Sequence, residues 1–535
     1  MDSGSTKSGV PPKPDVVLVA DGVGVRFPRS ARDAVHDVSL TLRTGERLAL
    51  IGPSGSGKTT PALALLGAIP SLVQADRRGD VRWAGLGDRE LATGSGIAAA
   101  VLQDTDAQLV ALTVEDELAF ALENRFLAPV EIEQRIETAL SRPPGIGLRR
   151  QDRTLTLSGG WRQRLALTAA LAETPGALVI DEPVAHLDGE AAADAVAAVE
   201  EACRHGAAAL LVEHRIDQIA PLADRVLVLG ADGAPVALGE TEPTLRALAG
   251  GNDHGLRLPA AIRVAAALDR EGVAEGDPPA LPIALAALGF DRPRPDVSSH
   301  RPLISIENAA VRRGRRTVLD NVDLVVREGE AVGIAGRNGA GKTTLALLAA
   351  GALRASAGIL RRHHAQAPVF VPQNPALAFA TGSLRAEAAR RGLAWTEAAQ
   401  AIARCGLAPD PDRHPLAFSH GERRRLALAL ALAPPEPQLV ILDEPASGLD
   451  GIGLAALEAD LDALRARGAG VMIVAHDLDW LARVSDRIAL VEGGRIAADR
   501  PSLGFLASVV SGHLPLRPPP GGMLAARLGW GFVQP

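Results

Sequence analysis

Tyrosine is absent from this 535-residue chain, and all aromatic residues together make up 3% of it. That excludes an aromatic-rich recognition surface, while abundant alanine and 55 glycines favour helices packed closely on sheets. Cysteine is almost missing too. Cys203 and Cys405 lie far apart in Ala-rich stretches, so neither a disulfide framework nor a zinc site can be built, and a reducing cytoplasm fits. No apolar run approaches the ~18–20 residues that a membrane span needs. The first residues, polar and rich in Pro, Gly and Ser, have no apolar core of the kind a signal peptide carries. A basic excess is also lacking: net charge is −7, and clusters such as Arg423-Arg424-Arg425 are short and lie in predicted helix. Nucleic acid is therefore not an expected partner, and work at a membrane would have to pass through another protein.

What is present is hydrophobic material at 47%, enough for two or three cores in a chain of this length. It is organised by an internal repeat. Gly52-Pro53-Ser54-Gly55-Ser56-Gly57-Lys58-Thr59-Thr60 recurs as Gly336-Arg337-Asn338-Gly339-Ala340-Gly341-Lys342-Thr343-Thr344. The apolar run ending in Asp181-Glu182-Pro183 recurs at Asp443-Glu444-Pro445. Gln103, Ser158 and His214 have counterparts in the same order at Gln373, Ser419 and His476, and the second copy is trimmed only before Ser419. Each copy opens with short β-prone runs (16–19 and 48–51; 303–306 and 331–335), then the Gly-rich loop and an Ala/Leu-rich helix. The bare apolar runs at 177–180 and 439–442 read as parallel strands covered on both faces. The expected organisation is a disordered stretch at 1–14, a first domain at 15–240, a linker at 241–302 with some structure of its own and a helical patch at 259–268, a second domain at 303–512 and a flexible tail at 513–535.

The repeated loop is a P-loop. Its glycines let successive N–H groups point inward, and it feeds a helix N-terminus whose partial positive charge attracts phosphate. Lys58 and Lys342 are expected to reach the β- and γ-phosphates of ATP, and Thr59 and Thr343 to ligate Mg²⁺. Pro61, in the first turn of the following helix, is tolerable where N–H groups have no intrahelical acceptor. The paired acids have separate expected roles. Asp181 and Asp443 hold Mg²⁺ through water, and Glu182 and Glu444 polarise the attacking water as general bases.

These motifs alone say P-loop NTPase. Leu157-Ser158-Gly159-Gly160, placed before the acidic strand and opening a helix, resembles the Leu-Ser-Gly-Gly-Gln/Glu signature of the ATP-binding-cassette (ABC) family. The resemblance covers about residues 16–240 and 303–500. It implies an α/β fold with two nucleotide-binding domains, each a mostly parallel sheet flanked by helices, with an antiparallel β subdomain and a helical subdomain. Gln103 and Gln373 then match the family's Q-loop glutamine, with catalytic and Mg²⁺-side roles. Leu187-Asp188 and Leu449-Asp450 match the D-loop, and His214 and His476 the switch histidine. The resemblance further implies an intramolecular cassette dimer in which each signature completes the other half's site. Ser419 and Gly421 would face the Lys58 loop, and Ser158, Gly159 and Gly160 the Lys342 loop. There are departures: the second signature reads Phe418-Ser419-His420-Gly421-Glu422, and Trp161 stands where Gln or Glu is usual. The adenine-stacking aromatic is Phe27 in the first copy, with Arg313 at the matching place in the second. Two competent but unequal sites are expected.

The stretch from Gln103 through Gln108-Leu109, Thr113 and Phe120 is similar to that of energy-coupling-factor (ECF) importer ATPases of the cobalt- and vitamin-uptake type, although Thr105 replaces a usual Pro. Val212-Glu213-His214-Arg215 resembles the same group. This implies a peripheral ATPase at the cytoplasmic face of the cell membrane, with a coupling protein and a substrate-binding subunit as integral membrane partners. A sugar-importer double cassette and a soluble, ribosome-acting double cassette are the alternatives. The latter is disfavoured because the linker from 240 to 301 carries nine acids against seven arginines and is rich in proline. A DNA-repair or chromosome-organising ATPase would want long heptad insertions or zinc cysteines, and neither is present.

Overall fold

Strands such as Ala177–Asp181 and Ala208–Val212 are buried at every position. Uninterrupted Ala, Leu and Val without polar alternation can be accommodated only where helices cover both faces of a sheet. The computed structural model describes residues 15–28, 30, 32–84, 86, 97–102, 104–182, 189–213, 216–275, 277, 280–292, 296–314, 316–364, 366–418, 420–433 and 438–528. The chain divides into two compact units, Met1–Pro259 and Ala260–Pro535.

In the first unit a six-stranded sheet runs in the order Ala98–Val101, Ala177–Asp181, Ala208–Val212, Arg47–Ile51, Arg225–Leu229, Pro235–Glu240. The first five strands are parallel, and only the edge strand is antiparallel. A separate three-stranded antiparallel sheet is formed by Val35–Arg43, Val16–Arg26 and Asp76–Trp83. The helices Val114–Glu123, Pro129–Leu140 and Gly159–Ala172 pack around Val114, Leu118, Leu122, Ile136 and Leu165 as a helical subdomain. Thr113 starts the first of these helices: its Oγ1 accepts from Asp116 N at 3.2 Å and donates to the Asp116 carboxylate at 2.6 Å, a side-chain cap on an otherwise orphaned donor.

The second unit repeats this plan. Its six-stranded sheet runs Val369–Val371, Leu439–Asp443, Gly470–Val474, Ala331–Ala335, Arg487–Glu492, Arg495–Pro501. Its antiparallel sheet is Arg316–Arg327, Pro302–Arg313, Ala357–Arg362. Among the described residues, no helix is long and apolar enough to cross a membrane.

Two stretches differ from expectation. Within the linker, the helical patch expected at 259–268 is the helix Ala260–Glu271, but a further helix, Ala280–Leu288, was not foreseen, and both pack onto the second unit, burying Val264, Leu268, Ala284 and Leu288 in its core. The tail read as flexible from 513 forms the helix Pro520–Arg527, which rests on Leu478–Val484 and Ser502–Val510. Asp479 fixes it by accepting from Gly521 N at 2.7 Å and Gly522 N at 3.0 Å. A Cβ on Gly521 would stand 2.9 Å from that carboxylate, so any larger residue there would force Asp479 to shift. High Pro and Gly content suggested loose chain, but here it allows a tight helix start.

Candidate nucleotide sites

Each P-loop leaves a buried central strand, Arg47–Ile51 or Ala331–Ala335, and enters a helix, Thr59–Leu65 or Lys342–Ala350. Gly57 sits at φ +80° and Gly341 at φ +111°. A Cβ would lie 2.6 Å from Ala34 O at the former and 2.8 Å from Leu319 Cδ2 at the latter, so the cradle needs glycine there for two reasons. Lys58 Nζ donates to Gly52 O and Pro53 O, both at 2.8 Å. Lys342 Nζ does the same to Gly336 O at 2.8 Å and Arg337 O at 3.1 Å. Both ammonium groups are thus folded back over their own loops. Pro61 is the third residue of its helix and buried, at a position where no intrahelical acceptor is needed.

The acidic strand ends lie beside these loops. Thr59 Oγ1 donates to Asp181 Oδ2 at 2.6 Å. Burial pushes the Asp181 carboxyl up to about 6; the Thr59 hydrogen bond and Lys58 oppose the shift, while Glu182 and Glu213 add to it. Burial also raises the Asp443 carboxyl, with Thr343, Lys342 and Arg424 acting against it and Glu444 with it. Thr343 is near enough to act on Asp443, yet neither buried carboxylate oxygen of Asp443 closes a hydrogen bond of normal geometry among the described residues. A buried, unsatisfied carboxylate beside a threonine and a phosphate loop is a donor set suited to a hard cation such as Mg²⁺.

Glu182 and Glu444 share a feature that no motif announced: both are non-glycine residues in the left-handed region, at φ +57° and +53°. Each is held there by a backbone bond to the neighbouring strand, from Glu182 N to Val212 O and from Glu444 N to Val474 O, both 2.8 Å. Strain of this kind persists only where the surroundings enforce it. In the second unit His476 Nδ1 lies 2.8 Å from Glu444 Oε2.

Ser158 stands at the N-cap of Gly159–Ala172 without a side-chain capping bond, at the start of a 14-residue helix. Trp161 is occupied locally: Arg164 stacks on its ring at 4.5 Å, and a Cβ on Gly147 would meet it at 2.7 Å. Phe27 is half-buried against the first unit's core, and Arg313 is exposed. Gln103, His214, Ser419 and Leu187-Asp188 lie outside the described residues.

Several residues carry structural roles that sequence reading did not assign. Gln108 pins the strand before Gln103, accepting from Leu102 N at 2.9 Å and donating to Ala100 O at 2.7 Å. Buried Glu117 accepts from Val110 N and Ala111 N at 3.0 and 2.7 Å. Glu387 does the same for Ala380 N and the Thr381 hydroxyl at 3.1 and 3.0 Å. Arg424, 1% exposed, donates to Pro372 O at 3.1 Å and to Gln373 O. The signal for Gln108 lay in the motif after Gln103. For the others it was only an acid or arginine on an otherwise apolar helix face.

A P-loop and an acid pair at the end of a buried parallel strand, set out in two units on one plan, define a tandem P-loop nucleotide hydrolase. The family model described as ABC transporter matches residues 35–185 and 319–447. The chain belongs to that family and is an ATPase with two cassettes. A putative ABC transporter ATP-binding protein of Streptomyces avermitilis is 35% identical, with 90% of this chain and 93% of that protein covered. A putative HMP/thiamine import ATP-binding protein of Bacillus subtilis is 28% identical, with 91% of each covered. Among solved structures, the complex of an archaeal ribosomal stalk protein and ribosome recycling factor matches with TM-score 0.60 and 21% identity. That match covers 91% of this chain and 92% of that one, a likeness of fold.

Proposed function

We propose that the chain is the ATP-hydrolysing subunit of an ECF-type importer, peripheral at the cytoplasmic face of the membrane, driving separate integral membrane subunits: a coupling protein and a substrate-binding subunit. One observation carries this reading. The segment after Gln103 is held rigidly from behind and apolar in front. Glu117 ties down the Val110 and Ala111 N–H groups, and Thr154 donates to Ala111 O at 2.6 Å. Meanwhile Val110, Leu112 and Leu155 are 62%, 69% and 80% exposed. Apolar tips on fixed backbone suit a protein partner. The resemblance of this segment to ECF ATPases, and the importer name of the Bacillus subtilis relative, support a partner that is a transporter.

Within each site we propose the following division of labour. Gly52 to Thr60 and Gly336 to Thr344 cradle the phosphates, with Lys58 and Lys342 turning from loop carbonyls to phosphate oxygens. Mg²⁺, when bound, supplies positive charge to the β- and γ-phosphate oxygens. Thr59, Gln103 and Asp181 would hold it in one site, and Thr343, Gln373 and Asp443 in the other. Glu182 and Glu444 take the proton of the attacking water, and His214 and His476 orient the carboxylate and the terminal phosphate. Ser158 with Gly159 and Gly160 offers a helix N-terminus to the nucleotide held by Lys342, and Ser419 with Gly421 serves the one held by Lys58. Contact with both halves is what lets ATP favour the closed state and hydrolysis release it.

The test is to purify the tagged chain from membranes in its native host and identify what accompanies it. Small integral membrane subunits are expected. Sedimentation with ribosomes and no membrane protein would move the assignment to the soluble double cassettes.

A further inference from the structure

In the second cassette the helix that follows the switch histidine is gripped from three sides. His476, 2.8 Å from Glu444 Oε2, stands between the strand Gly470–Val474 and the helix Leu478–Val484. Asp477 caps that helix, its Oδ1 accepting from Trp480 N at 3.1 Å, so only the cap residue separates His476 from the first turn. Leu481 seats the helix on the central strand Ala331–Ala335, where a Cβ on Gly333 would stand 2.8 Å from its Cγ. Glu458 holds a second side from the helix Gly451–Ala466, which starts at the D-loop residue Asp450. Its Oε1 accepts from Trp480 Nε1 at 3.1 Å and from Arg483 Nη2 at 2.5 Å. The tail helix Pro520–Arg527 holds the third, through the two N–H groups bonded to Asp479.

The stretch read as a linker joins this grip. Arg292 Nη2 lies 3.8 Å from Glu458 Oε2, and its Nη1 donates to Asp462 Oδ2 at 3.3 Å. Gly289 passes so close to Arg483 that a Cβ there would stand 2.7 Å from its Cδ. The tail helix in turn rests on Ala260–Glu271 and Ala280–Leu288. Glu458, Trp480 and Arg483 have no counterparts in the first cassette, where Val196, Gln218 and Pro221 take the matching places. Asp217, which matches Asp479, is exposed on the four-residue helix Ile216–Ile219.

A histidine that orients a carboxylate has to be placed closely, since a misplacement of about 1 Å can cost about a hundredfold in rate. The His476 side chain is 56% exposed, so its own packing does not fix it. Buried side chains with satisfied hydrogen bonds, behind such a group, can. Trp480 is 1% exposed, and the Glu458 and Arg483 side chains are 12% and 15% exposed. We propose that Glu458 and Asp479 are positioning residues for His476. Through them the linker and the tail fix the helix after the histidine, and so set the rate of hydrolysis at the Lys342 site. The Lys58 site, built without these residues, is outside their control. The inference rests on His476 acting with Glu444 in hydrolysis, as proposed above.

The experiment is single-turnover hydrolysis of ATP by the full chain, with nucleotide affinity measured beside it. In the His214→Ala chain turnover reads the second cassette, and in the His476→Ala chain the first. Glu458→Ala and Asp479→Ala should each slow the His214→Ala chain by about tenfold, a partial misplacement, with ATP affinity unchanged. Glu458→Gln, which keeps an acceptor toward Trp480, should retain most of the rate. In the His476→Ala chain the same substitutions should change nothing, a non-additivity that general loss of structure would not produce. Gly521→Val pushes on Asp479 from the tail side and decides the matter if Glu458→Ala or Asp479→Ala fails to fold. Equal losses in the two chains, or none in either, overturn the inference. Hydrolysis at the parent rate in both histidine variants would instead overturn the role of the histidines.

Discussion

His476 Nδ1 and Glu444 Oε2 stand 2.8 Å apart, with the glutamate backbone held at φ +53°. A histidine at this distance fixes where the carboxylate points, and the left-handed backbone fixes where it starts from. Replacing Glu444 or Glu182 by glutamine keeps shape and removes the proposed base. Hydrolysis in the double variant should fall by about two orders of magnitude or more, with ATP binding retained. Phosphate release measured beside nucleotide binding checks this, and turnover at the unmodified rate would contradict the assigned role.

Leu112→Glu and Leu155→Glu place charge on side chains that are 69% and 80% exposed. Neither should shift stability by more than about 0.5 kcal/mol, as is usual for exposed positions. Co-purification of membrane subunits should be lost while thermal unfolding and basal ATPase activity stay put. Unchanged co-purification would remove the docking role from this segment.

The P-loops, acid pairs and first signature were legible in the sequence because their chemistry is local. Glycine spacing, one lysine and an apolar strand ending in two acids are contiguous, and the repeat doubled the signal. What decides the charge around those acids is not local. Arg424 belongs to a signature helix and Glu213 to the end of another strand, and only the fold brings them to Asp443 and Asp181. The helix Ala280–Leu288 carries Pro282 in its first turn, and Pro520–Arg527 carries two glycines, so composition argued for loose chain where packing made helix. The φ of the two glutamates left no trace in composition at all.

Asp479 offers a pH test of that terminal helix. Burial pushes its carboxyl up to about 6, against the pull of the Gly521 and Gly522 N–H groups. A carboxyl raised in the folded state holds its proton longer than in the unfolded chain, so its contribution to stability is greatest at low pH. That contribution is lost as pH rises from about 4 to about 6 and is flat above. The stability difference between the parent and Asp479→Asn, measured by urea denaturation, should therefore shrink over that window. A pH-independent difference would mean the carboxyl is not buried as described.

Glu387 behaves in the opposite sense. Burial raises its carboxyl, but Arg390, the Ala380 N–H, Thr381 and Arg391 together hold it at about 2. Its stabilisation is full above the unfolded value of about 4.5 and is lost as pH falls toward 2. Glu387→Ala strands Arg391 and frees the Ala380–Thr381 backbone. At neutral pH it should cost about 3 kcal/mol, the scale of breaking a buried pair, read from the denaturation midpoint.

The most direct measurement is the structure of the Glu182→Gln, Glu444→Gln chain loaded with ATP and Mg²⁺. Ser158 should lie within hydrogen-bond reach of the terminal phosphate held by Lys342, and Ser419 of the one held by Lys58. Nucleotide bound by each cassette alone, with both serines remote from it, would contradict the shared-site reading at its root.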